Sequence, residues 1–195
     1  MVLFSNNVIM KKIFIILISL PFFLNSFAQT KNEDACKKLK AKGYKQGFCD
    51  YNKKYAYKNI PFESSFDSVS SKLKLTKRTT GPNQYNCKDA NVLSWATITF
   101  DNCIFDFSSG DKLDGVQLQL FNNSSTSIPD IKSKIKQIQN YLTLYFGKPG
   151  KFPGTDDDMW KGDKVYIVVS PPNEKLESGA VIAIYRTNTN AIDDL

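Results

Sequence analysis

The chain has no histidine. Without imidazole there is no Ser/His/Asp triad, no Cys/His dyad, no HExxH or mixed Cys/His zinc site, and no side chain whose unperturbed pKa lies near neutrality. A GxSxG elbow, a P-loop, a GxGxxG turn and a CxxC pair are also missing, which sets aside the hydrolase, nucleotide-binding and dithiol designs built on them. No apolar run reaches the roughly 20 residues that a membrane-spanning helix needs. No cofactor is implied.

What is present begins with an export signal. Met10 to Ala28 reads MKKIFIILISLPFFLNSFA, in which Lys11 and Lys12 precede an apolar run of 12 residues, Ile13 to Leu24, and Ser26-Phe27-Ala28 precede a cut. The pattern predicts a cleaved secretory signal peptide over residues 1–28, with Gln29 opening the mature chain and Met10 as an alternative start. An uncleaved amino-terminal anchor is the competing reading. The Ile- and Phe-rich run behind a Lys pair is bacterial in character. Cys36 lies eight positions past the cut, so no cysteine stands there to carry a diacylglyceryl anchor. The expected product is periplasmic or extracellular, with no transmembrane segment in the mature chain.

Removing residues 1–28 removes two of the 26 basic residues and none of the 19 acidic ones, leaving 167 residues and a net charge of +5. That length suits one domain, expected over 29–187, with 188–195 as a frayed tail. Charge is uneven: residues 29–88 carry 14 basic and 5 acidic groups, residues 89–195 carry 10 and 14. All four cysteines, Cys36, Cys49, Cys87 and Cys103, fall in the mature part. An even count in an oxidising compartment predicts two disulfides. Of the three possible pairings, the short loops of Cys36 with Cys49 and Cys87 with Cys103 cost least to close.

Along the mature chain, Asn32 with Glu33 and Asp34 predicts a helix start and Gly43 its end. Tyr44 to Ile60 reads as extended. Ile60-Pro61-Phe62 leads to a second helix capped by Ser64 or Ser65, with Phe66, Val69 and Leu73 at intervals of three and four. The period then changes to two, giving strands at Val92 to Phe100, Cys103 to Phe107 and Leu113 to Phe121. A third helix follows, with a Ser127/Asp130 capping box, a stripe of Ile128, Ile131, Ile135, Ile138, Leu142 and Tyr145, and a Gly147/Pro149 stop. A polar loop over 150–158 leads to Trp160, and Lys164 to Ser170 and Ala180 to Thr187 form a last strand pair. The fold class is therefore α+β, an antiparallel β-meander sheet with two or three helices packed on one face and two disulfides.

The Ile60-Pro61-Phe62 approach, the helix from Ser64 to Leu73 and the meander after it resemble the layout of small bacterial envelope proteins of the SmpA/OmlA type. The resemblance is architectural, covers about a third of the chain, and carries over no functional residue. The lipid-anchored cysteine of that family has no counterpart here.

Three regions could carry chemistry. Lys37 to Lys58 holds eight Lys and one acid, Asp50, with aromatic rings between them; Lys45, Lys53, Lys54, Lys58, Tyr51, Tyr55 and Tyr57 are the candidates for holding a polyanion. The stretch has no Arg, the better residue for bidentate phosphate binding, and a solvated charged face is the bland alternative. Asp156, Asp158 and Asp163 form a loop that could offer oxygen ligands to Ca²⁺, although Lys161 stands where an EF-hand needs Gly. A carboxylate-based glycan hydrolase would need a paired acid and base, and Glu33, Glu63, Glu174, Glu177 and the Asp residues show no spacing that selects a pair. The leading reading is a noncatalytic binding protein of inhibitor, immunity or envelope-associated type. Its partner would be another protein or an anionic envelope polymer; polyanion or polysaccharide binding through 37–58 and a glycan hydrolase are the alternatives.

Overall fold

The computed structural model describes residues 56–162, 164–173 and 179–187, together with 36–38, 40, 41, 43, 45 and 49. In chain order the elements are β1 (Ala56–Tyr57), β2 (Ile60–Pro61), α1 (Phe66–Ser70), β3 (Leu75–Lys77), β4 (Gln84–Cys87), α2 (Ala90–Leu93), β5 (Ser94–Trp95), β6 (Ile98–Thr99), β7 (Asn102–Phe107), β8 (Leu113–Leu120), α3 (Ile128–Phe146), β9 (Gly150–Lys151), β10 (Asp158–Lys161), β11 (Val165–Ser170) and β12 (Ala180–Arg186). Eight strands form one sheet in the order β3-β4-β7-β8-β12-β11-β10-β9, and β1-β2 and β5-β6 are separate hairpins. Every pairing is antiparallel. The fold is α+β.

Alternation along the strands separates two faces. Register places Cys103, Phe105 and Phe107 of β7 beside Leu118, Val116 and Leu113 of β8, and Ile182 and Ile184 of β12 on the same side. These residues are buried with Ile131, Ile135, Ile138, Leu142 and Phe146 of α3 in one apolar cluster, which also takes in Val69 of α1 and Val92 of α2. A register shift between Asp106 and Phe107 lets both Leu113 and Val116 reach that core. The opposite face carries Asn102, Ile104 and Asp106 against Gln119, Gln117 and Gly115.

Helix α3 forms where the sequence places it. Ser127 Oγ accepts from the Asp130 amide at 3.4 Å and Asp130 Oδ2 accepts from the Ser127 amide at 3.2 Å, a reciprocal capping box that satisfies two orphan donors. The Ser127 hydroxyl, which donates to Asp130 Oδ2 at 2.6 Å, and then the Ser127 amide hold the Asp130 carboxyl below its usual range. Gly147 ends the helix at φ +95°, in the region open to residues without Cβ. The Trp160 indole, fully buried, donates to Gly147 O at 2.8 Å and ties β10 to that end.

Several expectations are corrected. The chain holds one disulfide among its described residues, Cys36–Cys49, with Cα atoms 5.0 Å apart. Cys87 and Cys103 are free thiols, not a second bridge, although they stand opposite one another across β4 and β7. Burial raises both thiols' pKa, that of Cys103 far, so the thiolate that would react is suppressed. Val92 to Phe100 is not a strand: Asp89 accepts from the Asn91 amide at 2.8 Å and caps α2, and a tight hairpin follows. The polar stretch over 150–158 contributes β9 and leads into β10, which widens the sheet beyond the expected meander. The second helix is shorter than expected, with Ser65 as its cap. Residues 36–38, 40 and 41 are helical and Gly43 follows at φ +87°; the signal over 1–28, the helix start at Asn32 and the tail over 188–195 lie outside the described residues.

Candidate binding surface

The C-terminal half of α3 departs from the expected stripe, because Phe146, not Tyr145, completes its buried face. Leu144 is 63% exposed and Tyr145 46%. The Tyr145 ring lies 4.5 Å from Tyr141, which in turn meets Trp95 edge-on at 6.3 Å. Trp95 is delivered by the β5-β6 hairpin, whose turn residues Ala96 and Thr97 both take positive φ, 49° and 68°. For residues with a Cβ that region costs about 1–2 kcal/mol each. The hairpin is closed by the Phe100 amide donating to Leu93 O at 2.8 Å. Partial burial, and then the neighbouring Tyr145, raise the Tyr141 phenol above its usual range. The four residues form an apolar and aromatic patch that can bury ring area against a partner.

The basic segment adjoins this patch. The Lys45 amide donates to Phe146 O at 3.4 Å, taking one of the carbonyls that a helix end leaves unsatisfied. Cys49 is buried in the core cluster and Cys36 packs against it. Lys37, Lys38, Lys40 and Lys45 are all exposed, as is Lys58, which sits at φ +49° in the β1-β2 turn. Lys53, Lys54, Tyr51 and Tyr55 lie outside the described residues. Tyr57 is a core residue: it is buried and its hydroxyl donates to Val92 O at 2.7 Å, so its ring is not available for stacking on a ligand.

The acidic loop is engaged internally. Lys151 Nζ lies 2.9 Å from Asp158 Oδ1 and donates to Asp156 O at 2.6 Å, while Gln139 Nε2 donates to Asp158 Oδ2 at 2.8 Å. Asp158 in turn raises the Lys151 pKa. Asp163 lies outside the described residues, and among the described residues no cluster of three or more potential metal ligands occurs. Of the four glutamates considered, Glu63 pairs with Arg186 at 2.7 Å; the other three are outside the described residues.

Sequence reading misses the polar centre of the opposite sheet face. The Tyr185 hydroxyl and Gln117 Nε2, the latter at 2.7 Å, both donate to Asp106 Oδ2. Burial, then the Asp106 charge, raise the Tyr185 phenol far above its usual range, which keeps it a proton donor and removes it as a base. Tyr185 also lies flat over Gly115, where a Cβ would come within 2.1 Å of the ring, and stacks on Tyr166 at 5.7 Å. Asp106 Oδ1 and Asn102 Oδ1 are buried without a hydrogen-bond partner among the described residues. The signal for this cluster is register, which sequence spacings of 11 and 79 residues do not reveal.

Comparison with protein-family models, curated proteins and solved structures finds no match to this chain.

Proposed function

We propose that this is a noncatalytic binding protein, exported to the periplasm or the extracellular space, which recognises another macromolecule through the surface at the C-terminal end of α3. One observation carries the reading: exposed Leu144 and Tyr145 lie beside the half-buried rings of Tyr141 and Trp95, on a helix and a hairpin that holds two strained turn residues. Trp and Tyr are enriched among the few residues that carry most of the binding energy at protein interfaces, and backbone strain is retained where its surroundings over-determine it. The Cys36–Cys49 disulfide and the signal-like segment support export. No described helix is long and apolar enough to cross a membrane. The layout similar to SmpA/OmlA-type proteins points to the envelope.

The test is capture from the cell envelope with the mature chain and with a Leu144→Ser/Tyr145→Ser variant, whose positions are exposed enough to leave folding intact. The expected result is one protein retained in high salt by the parent and lost by the variant. Equal retention by both would remove this surface from the reading, and turnover of a substrate that a single Asp or Glu substitution abolishes would remove the reading itself.

A second reading, polyanion binding, is favoured by exposed Lys37, Lys38, Lys40 and Lys45, the last of them bonded through its amide to the same helix end. It expects dextran sulfate or DNA to bind at low salt and to be released as salt rises, since exposed charges are screened over about 8 Å at physiological ionic strength. Unchanged affinity after neutralising Lys53, Lys54 and Lys58 would count against the part of the segment that holds them.

A further inference from the structure

On the sheet face that α3 leaves uncovered, the ends of β8 and β11 and the start of β12 border an open cavity of about 550 Å³, within the range of small-molecule sites. Its wall includes Gln119, Phe121, Asn122, Ser170, Pro171 and Val181. No charged side chain lines it among the described residues. We propose that this cavity binds a neutral saccharide unit, its ring stacked on Phe121 and its hydroxyls held by Gln119, Asn122 and Ser170.

The chemistry follows from which groups are already occupied. Gln119 Oε1 accepts from Asn102 Nδ2 at 3.0 Å, which orients the amide and leaves both Nε2 hydrogens without a partner among the described residues. Asn102 is itself only 5% exposed, and its Oδ1 is unpartnered beside Gln119. Asn122 is exposed and its side chain makes no hydrogen bond among the described residues, so it presents a carbonyl and an amino group together. Ser170 Oγ spends its proton on Asp157 Oδ2 at 2.7 Å, so toward the cavity it is an acceptor. Phe121 is 42% exposed, and its backbone is pinned by its amide donating to Asp101 Oδ2 at 2.7 Å. Val181 and Pro171 complete an apolar wall.

Amide donors and acceptors next to an exposed ring suit a ligand with vicinal hydroxyls on its rim and a C–H face. Among the described residues of the wall an anion would meet no counter-charge, and a purely apolar ligand would strand the amides. The pyranose ring meets both conditions. Gly179 keeps the cavity's shape: a Cβ there would come within 1.7 Å of Leu120 O, so only glycine lets the two chains approach this closely.

The test titrates the whole mature protein with maltotriose, cellotriose and the trimer of N-acetylglucosamine, read by calorimetry and by saturation-transfer NMR. At least one should bind. Phe121→Ala should weaken it about tenfold or more, Asn122→Ala should weaken it less, and raising the salt should leave it unchanged. Phe121 and Asn122 are surface positions, so circular dichroism of both variants should match the parent. Failure of all three sugars to bind, binding indifferent to Phe121→Ala, or binding lost with salt would each overturn the proposal. The α3 surface is untouched by these variants, so the outcome separates cleanly from the fate of the interface reading.

Discussion

Trp160→Phe is the most exacting test of the packing described above. The indole is fully buried and its only polar atom donates to Gly147 O at 2.8 Å, inside a helix end that is itself buried. The phenyl ring keeps most of the apolar volume and removes the donor. Leaving a buried carbonyl without its partner costs about 1–3 kcal/mol. The smaller ring adds about 1 kcal/mol of void at ~24 cal/mol per Å³. The sum, about 2–4 kcal/mol, would lower Tm by about 6–12 °C in a chain of this size. Far-UV circular dichroism in urea and on heating measures both quantities, and an unchanged m value would confirm that the unfolded state is unaltered. Tryptophan emission should also shift to the red, because the remaining Trp95 is partly exposed. A loss below about 1 kcal/mol would refute the claim that this bond anchors β10 to α3, since ordinary surface changes already reach half that size.

Other outcomes can be read as simply. Native protein should not react with a thiol reagent; after unfolding, two thiols, Cys87 and Cys103, should react, and the remaining pair only after reduction, whereas four protected cysteines in the unfolded chain would restore the second bridge. Gly115→Ala should destabilise by about 1–3 kcal/mol through its clash with the Tyr185 ring, and Gly115→Ala/Tyr185→Ala should lose less than the sum of the single changes, with strict additivity refuting the contact. Tyr185 has its folded pKa raised above the unfolded value of about 10, so the neutral phenol's contribution is fully present below that pH and is lost as pH climbs beyond it. Tyr185→Phe should therefore show a shallower fall in stability above pH ~10 than the parent, and identical alkaline limbs would contradict the assignment.

The legible parts of the fold are those whose signal is local. In α3 the capping box, the stripe and the glycine stop lie within 21 residues, and each was readable before the helix was seen. Strands β7, β8, β11 and β12 follow apolar alternation and fall within a residue or two of their expected bounds. Val92 to Phe100 misleads because Ala96 and Thr97 turn without the Gly or Asn that normally marks positive φ. β4 is missed because its alternation sets Tyr85 and Cys87 against Gln84 and Asn86, a weak contrast, and β9 and β10 lie in a stretch dominated by Gly, Pro and Asp. The candidate binding surface is less legible. Tyr145 looks like part of the core stripe, yet it is 46% exposed beside Tyr141, and Tyr141 meets Trp95, a residue more than 40 positions earlier in the chain. Tyr57 looks like a ligand-binding ring until its hydroxyl is found bonded inside the core.

The sheet's two outer strands are unequal to the task of recruiting another chain. Leu75–Lys77 at one border and Gly150–Lys151 at the other run three and two residues, against the five or six of an ordinary strand. Each ends on a lysine, a residue that natural sheets place on edges to discourage pairing. An incoming peptide would find too few open backbone groups to add itself as a ninth strand. A partner of this sheet is therefore met by side chains on its faces and not by backbone pairing along its borders.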